Sequence, residues 1–198
     1  MDGRLILASA SPRRLELLAQ IDLAPDQVLP ANVCEDLLKG ELPRQLAMRL
    51  ADAKATHISN IFDHDFVLAA DTVVACGRRS LAKAASEEEA QEFLQMLSGR
   101  SHRVYSSICL ITPGGKKVSR MVMTNVYFKK LTKTEIQNYI ETNEWRGKAG
   151  AYAIQGLASV FVRRINGSYS NVVGLPLYET ASLLMGLGYS KGNKYHGC

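Results

Sequence analysis

The segment Phe66-Val67-Leu68-Ala69-Ala70-Asp71-Thr72-Val73-Val74-Ala75 limits the fold more than any other part of the chain. It is apolar at almost every position, so it reads as a central strand covered on both faces. A strand buried on both sides needs a layer above and a layer below. The same strand carries Asp71. A buried, unpaired carboxylate costs several kcal/mol, so Asp71 must find a cation, a metal or hydrogen-bond donors. In a cleft it can bind Mg²⁺ or accept a proton from water. The plainer alternative is an aspartate bonded to a neighbouring loop.

The flanking segments supply the layers. Leu5 to Ala8 is a short buried strand, and Ser11-Pro12 opens a helix to about Gln20, with Ser as cap and Pro in the first turn. Pro43 begins a second helix to about Ile58, with Leu46, Leu50 and Ala53 on one face. Ser86 and Glu89 fit a capping box for a helix to Leu97, and Thr132 and Glu135 another for a helix to about Glu141. Arg103 to Thr112 and Lys117 to Lys130 read as strands joined at Pro113-Gly114-Gly115 into a long hairpin. Ala158 to Ile165 reads as a strand, Asn166-Gly167-Ser168 as a turn, and Pro176 to Leu187 as a closing helix. Interleaved strands and helices with a hairpin among them predict an α/β fold whose sheet is mixed and flanked by helices. No linker, repeat or low-complexity tract divides it. One domain over residues 1–190 is expected, with 191–198 a flexible C-terminal tail.

At 198 residues, 46% of them hydrophobic and 22% charged, the chain has the composition of a globular protein. A domain of this size buries roughly 70% of its unfolded surface and needs no covalent staple. Cys34, Cys76, Cys109 and Cys198 form no Cys-x-x-Cys pair and no zinc-like spacing with His57, His64, His102 or His196, so they read as reduced thiols. No stretch of about 20 apolar residues and no signal-type core is present, which predicts a soluble cytoplasmic protein without membrane association. The net charge of +5 suits a polyanion. Its arginines and lysines are scattered; the tightest pairs, Lys129-Lys130 and Arg163-Arg164, read as strand flanks on a solvated face. An RNA-binding surface would need interleaved aromatics, which are missing, so nucleic acid is not an expected partner.

Several segments carry chemistry. In Ala8-Ser9-Ala10-Ser11-Pro12-Arg13-Arg14 a strand ends, small residues turn and a helix begins. Small side chains let backbone N–H groups approach an anion, and the helix start favours negative charge. Arg13 adds a planar fork for phosphate oxygens or a base carbonyl. A capped surface helix with exposed arginines is the alternative. Glu35, Lys54, Lys83 and Lys148 are lone charges near helix ends or on loops, each by itself explained by solvation. Together with Asp71 they match phosphoryl chemistry, in which carboxylates hold a metal and cations neutralise polyphosphate. Gly147-Lys148-Ala149-Gly150-Ala151-Tyr152-Ala153-Ile154-Gln155-Gly156 can pass close to a ligand while Gln155 offers donor and acceptor to a base edge. Its alternative is a tight connection packed for lack of space. No Gly-x-x-x-x-Gly-Lys-Ser/Thr, Gly-x-Gly-x-x-Gly or Gly-x-Ser-x-Gly run occurs, which removes support for P-loop, dinucleotide-binding and serine-hydrolase readings.

In this order these segments resemble the Maf family of nucleotide pyrophosphatases. The matching pieces are the Ser9–Arg14 turn, Arg49-Leu50-Ala51 with Lys54-Ala55, Ala70-Asp71-Thr72-Val73-Val74, Gly99-Arg100-Ser101-His102-Arg103-Val104, Lys148 to Gly156, and Gly167-Ser168-Tyr169-Ser170-Asn171-Val172-Val173-Gly174-Leu175-Pro176. The resemblance implies a fold like that of inosine triphosphate pyrophosphatases, often homodimeric, and an Mg²⁺- or Mn²⁺-dependent role in the nucleotide pool. Asp71 falls on the family's catalytic proton acceptor. Ser9, Arg13, Glu35, Lys54 and Lys83 fall on positions linked to phosphate, metal or catalysis, with Glu35 and Asp71 the implied metal ligands and Lys54 and Lys83 the implied catalytic cations. The segment from Lys148 to Gln155 looks like the subgroup acting on dTTP and UTP, where Arg13, Thr72 and Gln155 fall on selecting positions. The 7-methyl-GTP subgroup carries a different segment there.

Three positions depart from the family pattern. Cys34 stands where an acid usually precedes Glu35, with Asp36 available to compensate; Ala82-Lys83-Ala84 replaces Gly-Lys-Pro; Ala153 stands where Gly is common. The expectation is hydrolysis of dTTP, UTP or a modified pyrimidine nucleotide to monophosphate and pyrophosphate. The rival is a non-catalytic nucleotide-binding regulator of cell division and septum formation.

Overall fold

A computed structural model describes residues 3–190. The expected tail, 191–198, lies outside the described residues. Strands β1 (Leu5–Ala8), β2 (Gln27–Val28), β3 (Phe66–Cys76), β4 (Arg79–Leu81), β5 (Ser101–Ile111), β6 (Lys117–Phe128) and β7 (Val162–Asn166) form one sheet. Its order is β2-β1-β3-β5-β6-β7, with β4 paired to β3. The first three strands in that order run parallel, and the remaining pairs are antiparallel. The sheet is mixed, as the interleaved pattern predicts.

Period-two alternation sorts the core. Leu5 and Leu7 of β1 and Leu68 and Ala70 of β3 pack with Leu17 and Leu18 of α1 (Pro12–Gln20) and Leu183 and Leu184 of α6 (Leu177–Gly186). Ile6, Ala8, Val67 and Ala69 point the other way, onto Ala51, Ala55 and Ile58 of α2 (Pro43–Ser59). Both faces of β3 are thus covered, which is why its sequence shows no polar stripe. At the far end α3 (Glu87–Leu97) and α4 (Lys133–Glu141) close a separate cluster around Leu94, Phe128, Trp145 and Tyr152. Among the described residues no helix is long and apolar enough to cross a membrane.

Three local expectations need correction. Ala158 to Ile165 is not one strand: Leu157–Phe161 is a 3₁₀ turn and the strand starts at Val162. Ala158 and Phe161, three apart, both turn inward, a period that a 3₁₀ helix satisfies and a strand does not. Ser11 occupies the N-cap of α1 but its side chain makes no capping bond. Ser86 caps α3 through the Glu89 N–H, while the Glu89 carboxylate takes the Ala85 N–H, so only half of that box forms. The polar loop after β7 contains a short helix, α5 (Tyr169–Val173), capped by Ser168. Thr132 and Glu135 do form the reciprocal box.

Candidate active site

The β3 alternation aims two neighbouring side chains at different partners. Asp71 follows Val67 and Ala69 onto the α2 side, and Thr72 faces α1 and the turn after α5. Both line a cleft of about 530 Å³ beside the end of β1 and the inner part of β3. Ser9, Arg13, Glu35 and Lys54 line it too, as do Lys83, Lys148 and Gln155, so all nine residues singled out from the sequence meet in one place. Arg14 joins them there, giving five cationic side chains (Arg13, Arg14, Lys54, Lys83, Lys148) against three carboxylates (Glu35, Asp36, Asp71). An excess of cations over carboxylates in a concave site favours a polyanionic ligand.

Lys54 is the hub of the floor. Its Nζ lies 2.7 Å from Asp71 Oδ1 and 2.6 Å from Glu35 Oε1. Lys54 is not a helix-end charge: it continues the buried stripe Leu46, Leu50, Lys54 of α2, while Ala53 is only half-buried. Burial alone would raise the Glu35 pKa; the hydrogen bond and charge of Lys54, then the charges of Lys83 and Arg14, outweigh it and hold Glu35 below the usual carboxylate value. The loop carrying Glu35 is tied to α2 by Arg49, whose guanidinium reaches Glu41 Oε1 at 2.7 Å and the Asp36 carbonyl at 2.8 Å.

Arg14 also lines the cleft, although its side chain is not among those singled out from the sequence. Its guanidinium donates to Ser9 Oγ at 3.0 Å, Gly174 O at 2.9 Å and Thr72 Oγ1 at 3.2 Å, joining the three walls of the cleft. A signal was present: Arg14, Leu17 and Leu18 share the i, i+3, i+4 spacing that places all three on the inward face of α1. Ser9 Oγ also accepts the Ser11 N–H, and no acceptor for its own proton occurs among the described residues. Thr72 Oγ1 further contacts Ser106 Oγ and Gly174 O. Arg13 donates to Val173 O, with burial lowering its pKa and Glu16 partly restoring it.

The segment from Gly147 to Gly156 forms the opposite wall. Gly150 donates to the carbonyls of Leu81 and Ala82, and Ala149 bridges Lys83. Gly150 has φ +69 and a Cβ there would stand 2.8 Å from Val74 Cγ1, so the close approach requires glycine. Lys83 is therefore placed by the same segment that carries Lys148 and Gln155. Burial, then the charge of Arg13, lowers the Lys148 pKa, and Glu144 partly offsets this. Gln155 is exposed toward the cleft.

Among the described residues no group of three or more His, Cys, Asp and Glu side chains is arranged to hold a metal. Glu35 and Asp71 nevertheless converge on one positive point, the Lys54 ammonium. Mg²⁺ commonly uses one or two carboxylates, with phosphate and water oxygens completing the shell, so this donor set fits a divalent ion that arrives with a polyphosphate.

Fold and site together define an α/β protein with a cleft whose cationic side chains outnumber its carboxylates. Residues 4–187 match the Maf-like protein family, and the chain belongs to it. A Paramagnetospirillum magneticum protein named dTTP/UTP pyrophosphatase is 58% identical over 186 residues, covering 94% of this chain and 98% of its own. A Mesorhizobium japonicum protein of the same name is 55% identical over 192 residues, covering 94% and 92%. The solved structure of a HAM1 protein from Coxiella burnetii matches 94% of this chain and 100% of its own, with a TM-score of 0.51 at 16% identity, a likeness of fold.

Proposed function

We propose that the protein hydrolyses dTTP and UTP between the α- and β-phosphates, releasing the nucleoside monophosphate and pyrophosphate. Relatives over 50% identical along nearly the whole chain bear the name dTTP/UTP pyrophosphatase, which favours the enzyme over a non-catalytic regulator of division. The observation that carries the chemistry is the carboxylate of Asp71, buried, lining a cation-rich cleft and engaged by Lys54 through Oδ1. No protein partner among the described residues bonds Oδ2, the atom left to take a proton from water. That water attacks the α-phosphorus, its proton passes to Asp71, and the bond to the bridging oxygen breaks toward pyrophosphate. Arg13, Lys54 and Lys83 offset the charge that gathers on the leaving group. Ser9 and the uncapped start of α1 bind phosphate oxygens. A divalent ion, Mg²⁺ or Mn²⁺, held by Glu35 and Asp71 supplies charge neutralisation on the phosphate oxygens when bound. Lys148 and Gln155 face the nucleoside, and Thr72 shapes its selection by fixing Arg14 and the Gly174 turn. The reaction belongs in the cytoplasm, where nucleoside triphosphates are held.

Pyrophosphate release from a panel of pyrimidine and purine triphosphates, with and without Mg²⁺ or Mn²⁺, tests this. Turnover led by dTTP and UTP and lost on chelation is expected. Binding of nucleotide without turnover under every metal condition would overturn it.

A further inference from the structure

Gln155 is exposed in the cleft, and no side-chain hydrogen bond holds its amide among the described residues. Its position therefore depends on the backbone around it. Two residues before it, the buried Ala153 N–H donates to Tyr139 Oη at 3.1 Å. Two residues after it, the Leu157 N–H donates to Glu144 Oε2 at 3.0 Å. The two anchors are one unit, because Tyr139 Oη in turn donates its proton to Glu144 Oε1 at 3.1 Å. Tyr139 is buried, and burial raises its pKa, which keeps that proton in place. The Glu144 N–H donates to Thr142 Oγ1 at 3.2 Å, and the next residue, Trp145, is buried and donates Nε1–H to the Ile140 carbonyl at 3.1 Å.

The fit is closed on the remaining side. A Cβ on Gly156 would stand 2.2 to 2.5 Å from the three carboxylate atoms of Glu144. Gly156 has φ −113, so the missing side chain answers to the carboxylate beneath it and not to a left-handed backbone. Glu144 also acts on Lys148, the other polar group of this wall.

We infer that Glu144 is a positioning residue for base selection: with Tyr139 it suspends the backbone on both sides of Gln155 and fixes where that amide meets the nucleobase. The inference rests on the pyrophosphatase reading and deepens it. The phosphate end of the same segment is held separately, by the bonds of Gly150 to Leu81 and Ala82 and the Lys83–Ala149 bridge. Loss of Glu144 thus loosens the base end first.

The test measures kcat and KM for UTP, dTTP and GTP in Glu144→Ala, Glu144→Gln, Tyr139→Phe, Gly156→Ala and the Glu144→Ala/Gly156→Ala pair, each checked by thermal unfolding. Glu144→Ala is expected to reduce the pyrimidine-over-purine ratio of kcat/KM about tenfold, mainly through KM, the size of a lost contact in a discriminating site. Glu144→Gln keeps one acceptor for Leu157 and should retain more of the ratio. Gly156→Ala should lower the ratio alone but add little once the carboxylate is gone, the signature of two residues sharing one space. Should Glu144→Ala not fold, Tyr139→Phe, which deletes one oxygen, carries the comparison. A folded Glu144→Ala or Tyr139→Phe variant with the wild-type ratio overturns the inference. So does an equal loss on all triphosphates, or independent effects of Glu144 and Gly156. A wild-type enzyme that hydrolyses no triphosphate would instead fail the pyrophosphatase reading, and the inference with it.

Discussion

The Lys54 ammonium stands 2.7 Å from Asp71 Oδ1, and each side chain is only 11% exposed. Helix α2 and strand β3 thus meet through opposite charges at a contact that is otherwise apolar, with Leu50 and Val73 alongside. Removing one member of such a pair strands the other in a poorly solvated place. Lys54→Met should therefore destabilise the fold by about 3 kcal/mol. Combining it with Asp71→Asn should restore part of that loss, because neither member of the pair is then left buried without the other. Urea unfolding of the two single variants and the double variant checks this; additive losses would contradict it.

Arg14 reaches a hydroxyl on β1's turn, a hydroxyl on β3 and the carbonyl of Gly174 at once. A lysine carries the same charge but one compact donor group and cannot span the three. Arg14→Lys is expected to lower kcat/KM about 100-fold through misplacement of the walls. Steady-state rates with UTP measure it, and near-normal rates would remove Arg14 from the site.

His102 is buried, bonded through Nε2 to Tyr152 Oη at 2.8 Å, and burial pushes its pKa down to about 4 from 6.5. Between those values the unfolded chain binds the proton and the folded one does not, so stability falls as pH drops from 6.5 toward 4 and levels off below. A shift of this size is worth about 3 kcal/mol across the window. His102→Gln, which does not titrate, should flatten that part of the profile. Urea midpoints from pH 4 to 7 report the difference, and parallel profiles would contradict it.

Much of this arrangement is legible in the chain. The Phe66–Ala75 run announces a strand covered twice, and Asp71 within it announces a partner, because apolar context leaves a carboxylate few options. The partner's identity is harder to read. Lys54 looks like a solvated helix charge until the stripe Leu46, Leu50, Lys54 is followed instead of Leu46, Leu50, Ala53. Arg14 hides for the same reason, beside an arginine on another face of α1. Local propensity misses β2 and β4, two and three residues long, because pairing with a longer neighbour forms them. Ser11 fails as a cap although its type is right, and the segment Leu157–Phe161 is apolar enough to imitate a strand.

Gln155 supplies a donor and an acceptor at the open side of the cleft. Gln155→Ala should leave hydrolysis possible while changing the order of dTTP and UTP relative to purine triphosphates. Competition between UTP and GTP in one vessel, read by chromatography of the monophosphates, gives that order directly. An unchanged order would refute its role in reading the base.

In the proposed reaction Asp71 takes the proton from the attacking water. Pyrophosphate release by Asp71→Asn, compared with wild type at saturating UTP and Mg²⁺ after its folded state has been verified, tests it most directly. A positioned base contributes about 10²–10⁴ in rate, so a loss of at least 100-fold is predicted. Turnover close to wild type in the folded variant would contradict the account.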